Sequence, residues 1–262
     1  MKELLTRTGT GILLVLLFVG SIQAGPWTMV LMLLLIYVLG ARELSRAANE
    51  KGPGKLWLPF VAAGSMISLA FATIHFSLNP LWLSAPFLLW IPAHLVCREK
   101  KSLLLMFWLA LPLSAFMGLS YFPDKNFSPL FPTAVIALVW ISDTLSYICG
   151  RLLGKHPFTP TLSPGKTWEG FLGGVILTTL SAWLFYHFTG AYTATTWFIS
   201  GFLVSLLGVV GDLFESRIKR SYGLKDMGNL LPGHGGILDR FDSLFFVAPA
   251  VFLLLLLQQG FA

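Results

Sequence analysis

The chain has 262 residues, of which 55% are hydrophobic and 11% charged, whereas an ordinary soluble domain carries about 25% charged residues. That balance excludes a soluble globule. The net charge of +6 would suit a nucleic-acid partner, but the basic residues fall in short loops between apolar runs, so topology accounts for them and no nucleic-acid partner is expected.

In chain order, Met1 to Arg7 followed by the apolar stretch Gly11 to Ile22 and by Gln23-Ala24-Gly25 has the layout of a signal peptide. An uncleaved first helix is preferred, because the next span begins almost at once at Trp27. Apolar windows fall at 10–24, 27–41, 56–76, 79–97, 103–122, 130–150, 170–189, 194–212 and 241–258, most of them near the roughly 20 residues that a bilayer core requires. They predict an all-α polytopic membrane protein with about nine transmembrane helices. No repeat or linker divides it, so it reads as one continuous membrane domain, with a scaffold over 1–129 and a working half over 130–262. Cys97 and Cys149 stand at the ends of apolar segments and offer neither a disulfide framework nor zinc spacing.

If loops alternate between the two sides, all but Lys125 of the 18 Lys and Arg residues share one side. The positive-inside bias assigns that side to the cytoplasm, with the amino terminus inside and the carboxyl terminus outside. All but Asp124 of the 12 acidic residues lie there too, or at helix ends opening to it. Topology does not require this. The accumulation of both signs points to a polar working surface, concentrated over Gly150 to Gly170 and Asp212 to Asp242.

Within the first of these regions, Asp143 stands inside the sixth span, where an ionisable group is costly unless it is paired or used. A structural partnership with a neighbouring Arg or Lys is the alternative. Lys166 follows in Ser163-Pro-Gly-Lys-Thr-Trp-Glu-Gly170, placed to contact a lipid or nucleotide phosphate. Gly165-Lys166-Thr167 imitates the end of a P-loop, but that motif needs glycine where Pro160 stands. In the second region a helical pattern puts Asp212, Ser216, Lys219 and Arg220 near one face. Such a face can hold a divalent cation at one end and phosphate oxygens at the other. Next come Lys225, Asp226 and the loop Pro232-Gly233-His234-Gly235-Gly236, whose backbone N–H groups can approach an anion closely. His234 suits either a general base or a hydrogen-bonded turn. Asp239 and Asp242, three apart, share a helical face as the last span begins, with Arg240 between them.

The run Ser216 to Asp242 resembles the signature of the phosphatidate cytidylyltransferase (CDP-diacylglycerol synthase) family, and the upstream Asp143-Thr144 and Ser163–Gly170 motifs are similar to that family's too. The likeness covers roughly the last two-fifths of the chain. It implies transfer of CMP from CTP to phosphatidic acid at the cytoplasmic face of a bacterial inner membrane, by a homodimer in contact with membrane lipids. It further implies Mg²⁺ held by Asp212, Asp239 and Asp242. Lys219, Arg220, Lys225, Asp226, Arg240 and the loop residues Gly233, His234, Gly235 and Gly236 would bind substrate. Ser216 would assist positioning, and Lys166, with Asp143 nearby, would guide the lipid phosphate. The alternatives are another lipid phosphate as acceptor, or a secondary transporter, since intramembrane Asp also marks ion pathways. Charges gathered at one membrane face, with no repeat, weigh against transport.

Overall fold

The computed structural model describes residues 2–47, 57–78, 84–98, 100–231, 233 and 235–260. A backbone in hydrocarbon must satisfy its own N–H and C=O groups, and a helix does so within a single segment. The apolar windows accordingly become α1 (Lys2–Gln23), α2 (Pro26–Ala47), α3 (Trp57–His75), α4 (Ala85–Cys97), α5 (Lys100–Tyr121), α6 (Leu130–Leu153), α7 (Trp168–Thr189), α8 (Ala194–Ser221) and α9 (Leu238–Gly260). Among the described residues 7 helices are long and apolar enough to cross a membrane, and Thr8–Gln23 of α1 and Ala85–Val96 of α4 are shorter apolar helices. The protein is an all-α polytopic membrane protein.

One element departs from that reading. Between α6 and α7 two short strands, β1 (Pro157–Thr159) and β2 (Ser163–Thr167), pair antiparallel, with Pro157 opposite Thr167 and Thr159 opposite Ser163. Pro157 occupies the first strand position, where a missing N–H does least harm. The hairpin is closed at its base by Glu169. Its Oε2 accepts the backbone N–H groups of Lys155 and His156 at 3.1 and 3.3 Å, and its Oε1 lies 2.6 Å from His156 Nδ1. Thr167 caps α7 by accepting the Gly170 N–H at 3.2 Å, as a threonine at that position does.

The chain divides into two compact units, Met1–Leu130 with Leu224–Phe241, and Phe131–Gly223 with Asp242–Ala262. In the first, α3 packs on α2, α4 and α5. Fully buried Tyr37 of α2 donates its hydroxyl to Phe60 O at 2.8 Å, and Trp90 of α4 donates to Ser102 O at 3.1 Å. Within α5 a π-helical stretch spans Leu104–Ala110, and Leu111 N–H reaches back to Met106 O. Pro112 follows immediately, and the wider turn accommodates the ring and the missing donor that an ordinary helix would resist.

In the second unit small residues bring helices together, as they do where lipid offers no hydrophobic drive between them. Gly174 of α7 faces Ser146 of α6 with no room for a Cβ, and a Cβ at Gly173 would lie 2.6 Å from Cys149 Sγ. A Cβ at Gly201 of α8 would come within 2.5 Å of that of Ala182 in α7. Helices α8 and α9 run antiparallel and are joined at the start and the middle of α8. Thr196 Oγ1 donates to Gln258 Oε1 at 2.8 Å, and Ser243 Oγ donates to Gly208 O at 3.2 Å.

Candidate functional site

Helix α8 has 28 residues, or about 42 Å at 1.5 Å per residue, against a hydrocarbon core of about 30 Å. The excess is the charged carboxyl-terminal stretch from Asp212 onward. Just before it, Gly211 lets the backbone of α9 come close, since a Cβ there would lie 2.5 Å from Asp242 O and 3.0 Å from Ser243 Cα. That approach sets Asp212 beside Asp242.

Asp212, Glu215 and Asp242 each offer a carboxylate oxygen within 4.8 Å of the others. Glu215 is fully buried, and Lys219, one turn on, donates to its Oε2 at 2.7 Å. Lys166, carried by β2, forms an ion pair with Asp212. Asp242 Oδ1 accepts the N–H of Ser243 at 2.6 Å. Asp143 of α6 lies within electrostatic reach of Asp242. Ser216, half-buried, follows Glu215 on α8, and Arg220 is exposed beyond it. Three hard carboxylate donors converging in this way fit a small divalent cation such as Mg²⁺, and the two lysines partly offset the charge they would otherwise accumulate.

The glycine loop belongs to the first unit. Leu231 N–H donates to Gly235 O at 2.9 Å, closing a turn in which Gly233 and Gly235 adopt φ of 77° and 80°, a region glycine enters freely. Asp239 Oδ2 accepts the N–H groups of Met227 and Gly236 at 3.0 and 2.7 Å, joining the two ends of the loop. Lys225, Asp226 and Arg240 are exposed. His234 lies outside the described residues.

The structure thus brings Asp212, Asp242, Lys166 and Lys219 together in the second unit, with Asp143 close by, and gives Asp239 backbone partners in the first. Glu215 was passed over in the sequence, although its i, i+3 relation to Asp212 carries the signal. Glu43 was passed over as well. It is a buried carboxylate at the end of α2 that accepts the N–H groups of Ile237 and Leu238 at 2.8 and 3.0 Å, and in the sequence it stands just beyond the span 27–41 as one charge among several.

Fold and site together define a polytopic helical membrane protein in which carboxylates and lysines converge where the spans give way to polar chain. The chain matches the model of the Cytidylyltransferase family over residues 5–258, and it belongs to that family. It is 45% identical over 121 residues to a phosphatidate cytidylyltransferase of Staphylococcus aureus (strain COL), covering 45% of this chain and 46% of the relative. It is 47% identical over 121 residues to the protein of that name from Staphylococcus saprophyticus, with the same coverage. A third of that name, from Staphylococcus epidermidis, is 42% identical over 143 residues, covering 53% of this chain and 55% of the relative. The chain spans about half the length of the curated relatives it matches.

Proposed function

We propose that the protein is a phosphatidate cytidylyltransferase of phospholipid biosynthesis, converting CTP and phosphatidate into CDP-diacylglycerol and pyrophosphate. The observation that carries this reading is the convergence of Asp212, Glu215 and Asp242 between Lys166 and Lys219. Family membership and the names of the staphylococcal relatives support the substrate pair.

In the reaction a phosphate oxygen of the lipid attacks the α-phosphorus of CTP. The bond from that phosphorus to the bridging oxygen breaks, and pyrophosphate leaves with the bond's electron pair. A phosphate monoester is already anionic at neutral pH and needs no strong base, so the protein's work is to align two anions and stabilise the leaving group. Asp212, Glu215 and Asp242 would hold Mg²⁺, which when bound supplies charge to the triphosphate. Lys219 and Arg220 bind triphosphate oxygens, and Ser216 helps to position them. Lys166 exchanges Asp212 for the lipid phosphate, and Asp143 assists in orienting it. Lys225, Asp226, Arg240 and the loop of Gly233, His234, Gly235 and Gly236 bind CTP. The resemblance assigns Asp239 to metal as well, and its Oδ2 accepts the N–H groups of Met227 and Gly236.

Orientation belongs to the same proposal. The loops richest in Lys and Arg face the cytoplasm of a bacterial inner membrane, where CTP is made, and the working assembly is a homodimer whose phosphatidate enters from the surrounding lipid.

The test is transfer of labelled CMP from CTP to phosphatidic acid by detergent-purified protein, with and without Mg²⁺, beside Asp212→Asn. Mg²⁺-dependent transfer that collapses in the variant is the expected result. No transfer by the folded wild type with phosphatidate or other lipid phosphates would overturn the reading, and transfer only to another lipid phosphate would move it to that acceptor.

A further inference from the structure

The amino-terminal unit carries none of the residues that the resemblance assigns to chemistry before Leu224, yet it places a buried carboxylate against the loop that follows. We propose that Glu43 of α2 is a positioning residue that holds the two ends of the loop after Leu224, at Met227–Gly228 and at Gly236–Leu238, before substrate arrives. The proposal rests on the reading above in one respect, that this loop binds CTP.

Glu43 is only 5% exposed. Burying a carboxylate is costly unless its oxygens are satisfied, and both are, by consecutive amides at the entry to α9: Oε1 by Ile237 N–H and Oε2 by Leu238 N–H. The first N–H groups of a helix have no partner inside it, and a cap normally comes from the residue just before the helix. Here the cap comes from a distant helix instead. It therefore ties the start of α9 to α2 as well as to its own flank.

The same carboxylate lies close to the loop at two further points. A Cβ at Gly228 would be 2.6 Å from Glu43 Oε1, and one at Gly236 would collide with Oε2. Asp239 accepts two further amides, those of Met227 and Gly236. Two carboxylates, one from α2 and one from α9, hold the backbone at 227, 236, 237 and 238. Leu238 is pinned beside them, since a Cβ at Gly40 of α2 would lie 2.8 Å from its Cδ2. Loop ends held in this way need not be fixed again when the ligand arrives, which lowers the cost of binding.

The experiment compares Glu43→Gln with the wild type in detergent. Glutamine keeps the volume and one acceptor, but its amide presents N–H to an N–H donor. Expected are faster hydrogen exchange confined to peptides over 226–240 and a rise in KM for CTP of roughly tenfold. KM for phosphatidate, and exchange in α3 and α5, should hold. Unchanged exchange over 226–240 overturns the proposal. So does a rise spread evenly through α1 to α5, which would mark a purely structural residue, and so does local loosening with KM for CTP unmoved. Should Glu43→Gln fail to fold, Gly228→Ala presses on the same carboxylate from the loop side and must reproduce the local exchange and the KM effect. Should the wild type transfer no CMP, the transferase reading fails while the exchange pattern still decides whether Glu43 positions the loop.

Discussion

Lys219 and Glu215 occupy one turn of α8, the carboxylate fully buried and the lysine side chain 13% exposed. Removing one partner of such a pair leaves a charge in a poor solvent, at a cost of about 3–5 kcal/mol, whereas removing both is far milder. Lys219→Met is therefore expected to lower the thermal midpoint in detergent more than the double variant Lys219→Met with Glu215→Gln. A loss in the double variant equal to the sum of the losses in Lys219→Met and Glu215→Gln alone would mean that the pair is not coupled. At this scale the sequence was readable where spacing carries meaning. Asp212, Ser216, Lys219 and Arg220 share a helical face, and Glu215 lies on its flank. Glu43 was not readable, because its partners are main-chain amides 194 and 195 positions away, and no residue pattern near Glu43 encodes them.

Among the elements, α8 and α9 depend on a difference between two glycines. A Cβ at Gly211 would press on the backbone of Asp242 and Ser243 at 2.5 and 3.0 Å, whereas one at Gly208 would meet only the Ser243 side chain at ordinary contact, 3.7 Å. Gly211→Ala should separate the helices, cost about 1–3 kcal/mol and abolish CMP transfer by parting Asp212 from Asp242. Gly208→Ala should do neither. Chemical unfolding and the transfer assay, run on both variants, check the contrast. The helices were legible because each apolar window has only one way to satisfy its backbone in lipid. The hairpin of β1 and β2 was not, since its strands are short, contain two prolines and are closed by Glu169 from the next helix. Equally hidden was the grouping of Leu224–Phe241 with the amino-terminal helices, in which Glu43 and Gly40 meet residues far away in sequence.

For the whole molecule, the distribution of Lys and Arg makes a directional prediction. In a variant with Cys97 and Cys149 replaced by serine, a cysteine at Lys125 should react with an impermeant maleimide on intact cells. One at Lys155 should react only after the membrane is opened. The reverse pattern would invert the proposed orientation. A last consequence follows from the length of α8, whose polar end overhangs the apolar part that crosses the bilayer. Under the proposed function, a site held at that boundary would meet the acceptor's phosphate at the height where it already floats, and the acyl chains would never leave the leaflet. For such a catalyst the effective concentration of acceptor is a mole fraction in a plane. At constant total phosphatidate, adding inert lipid should slow turnover by surface dilution, while diluting the whole suspension with CTP held constant should leave the rate per enzyme unchanged.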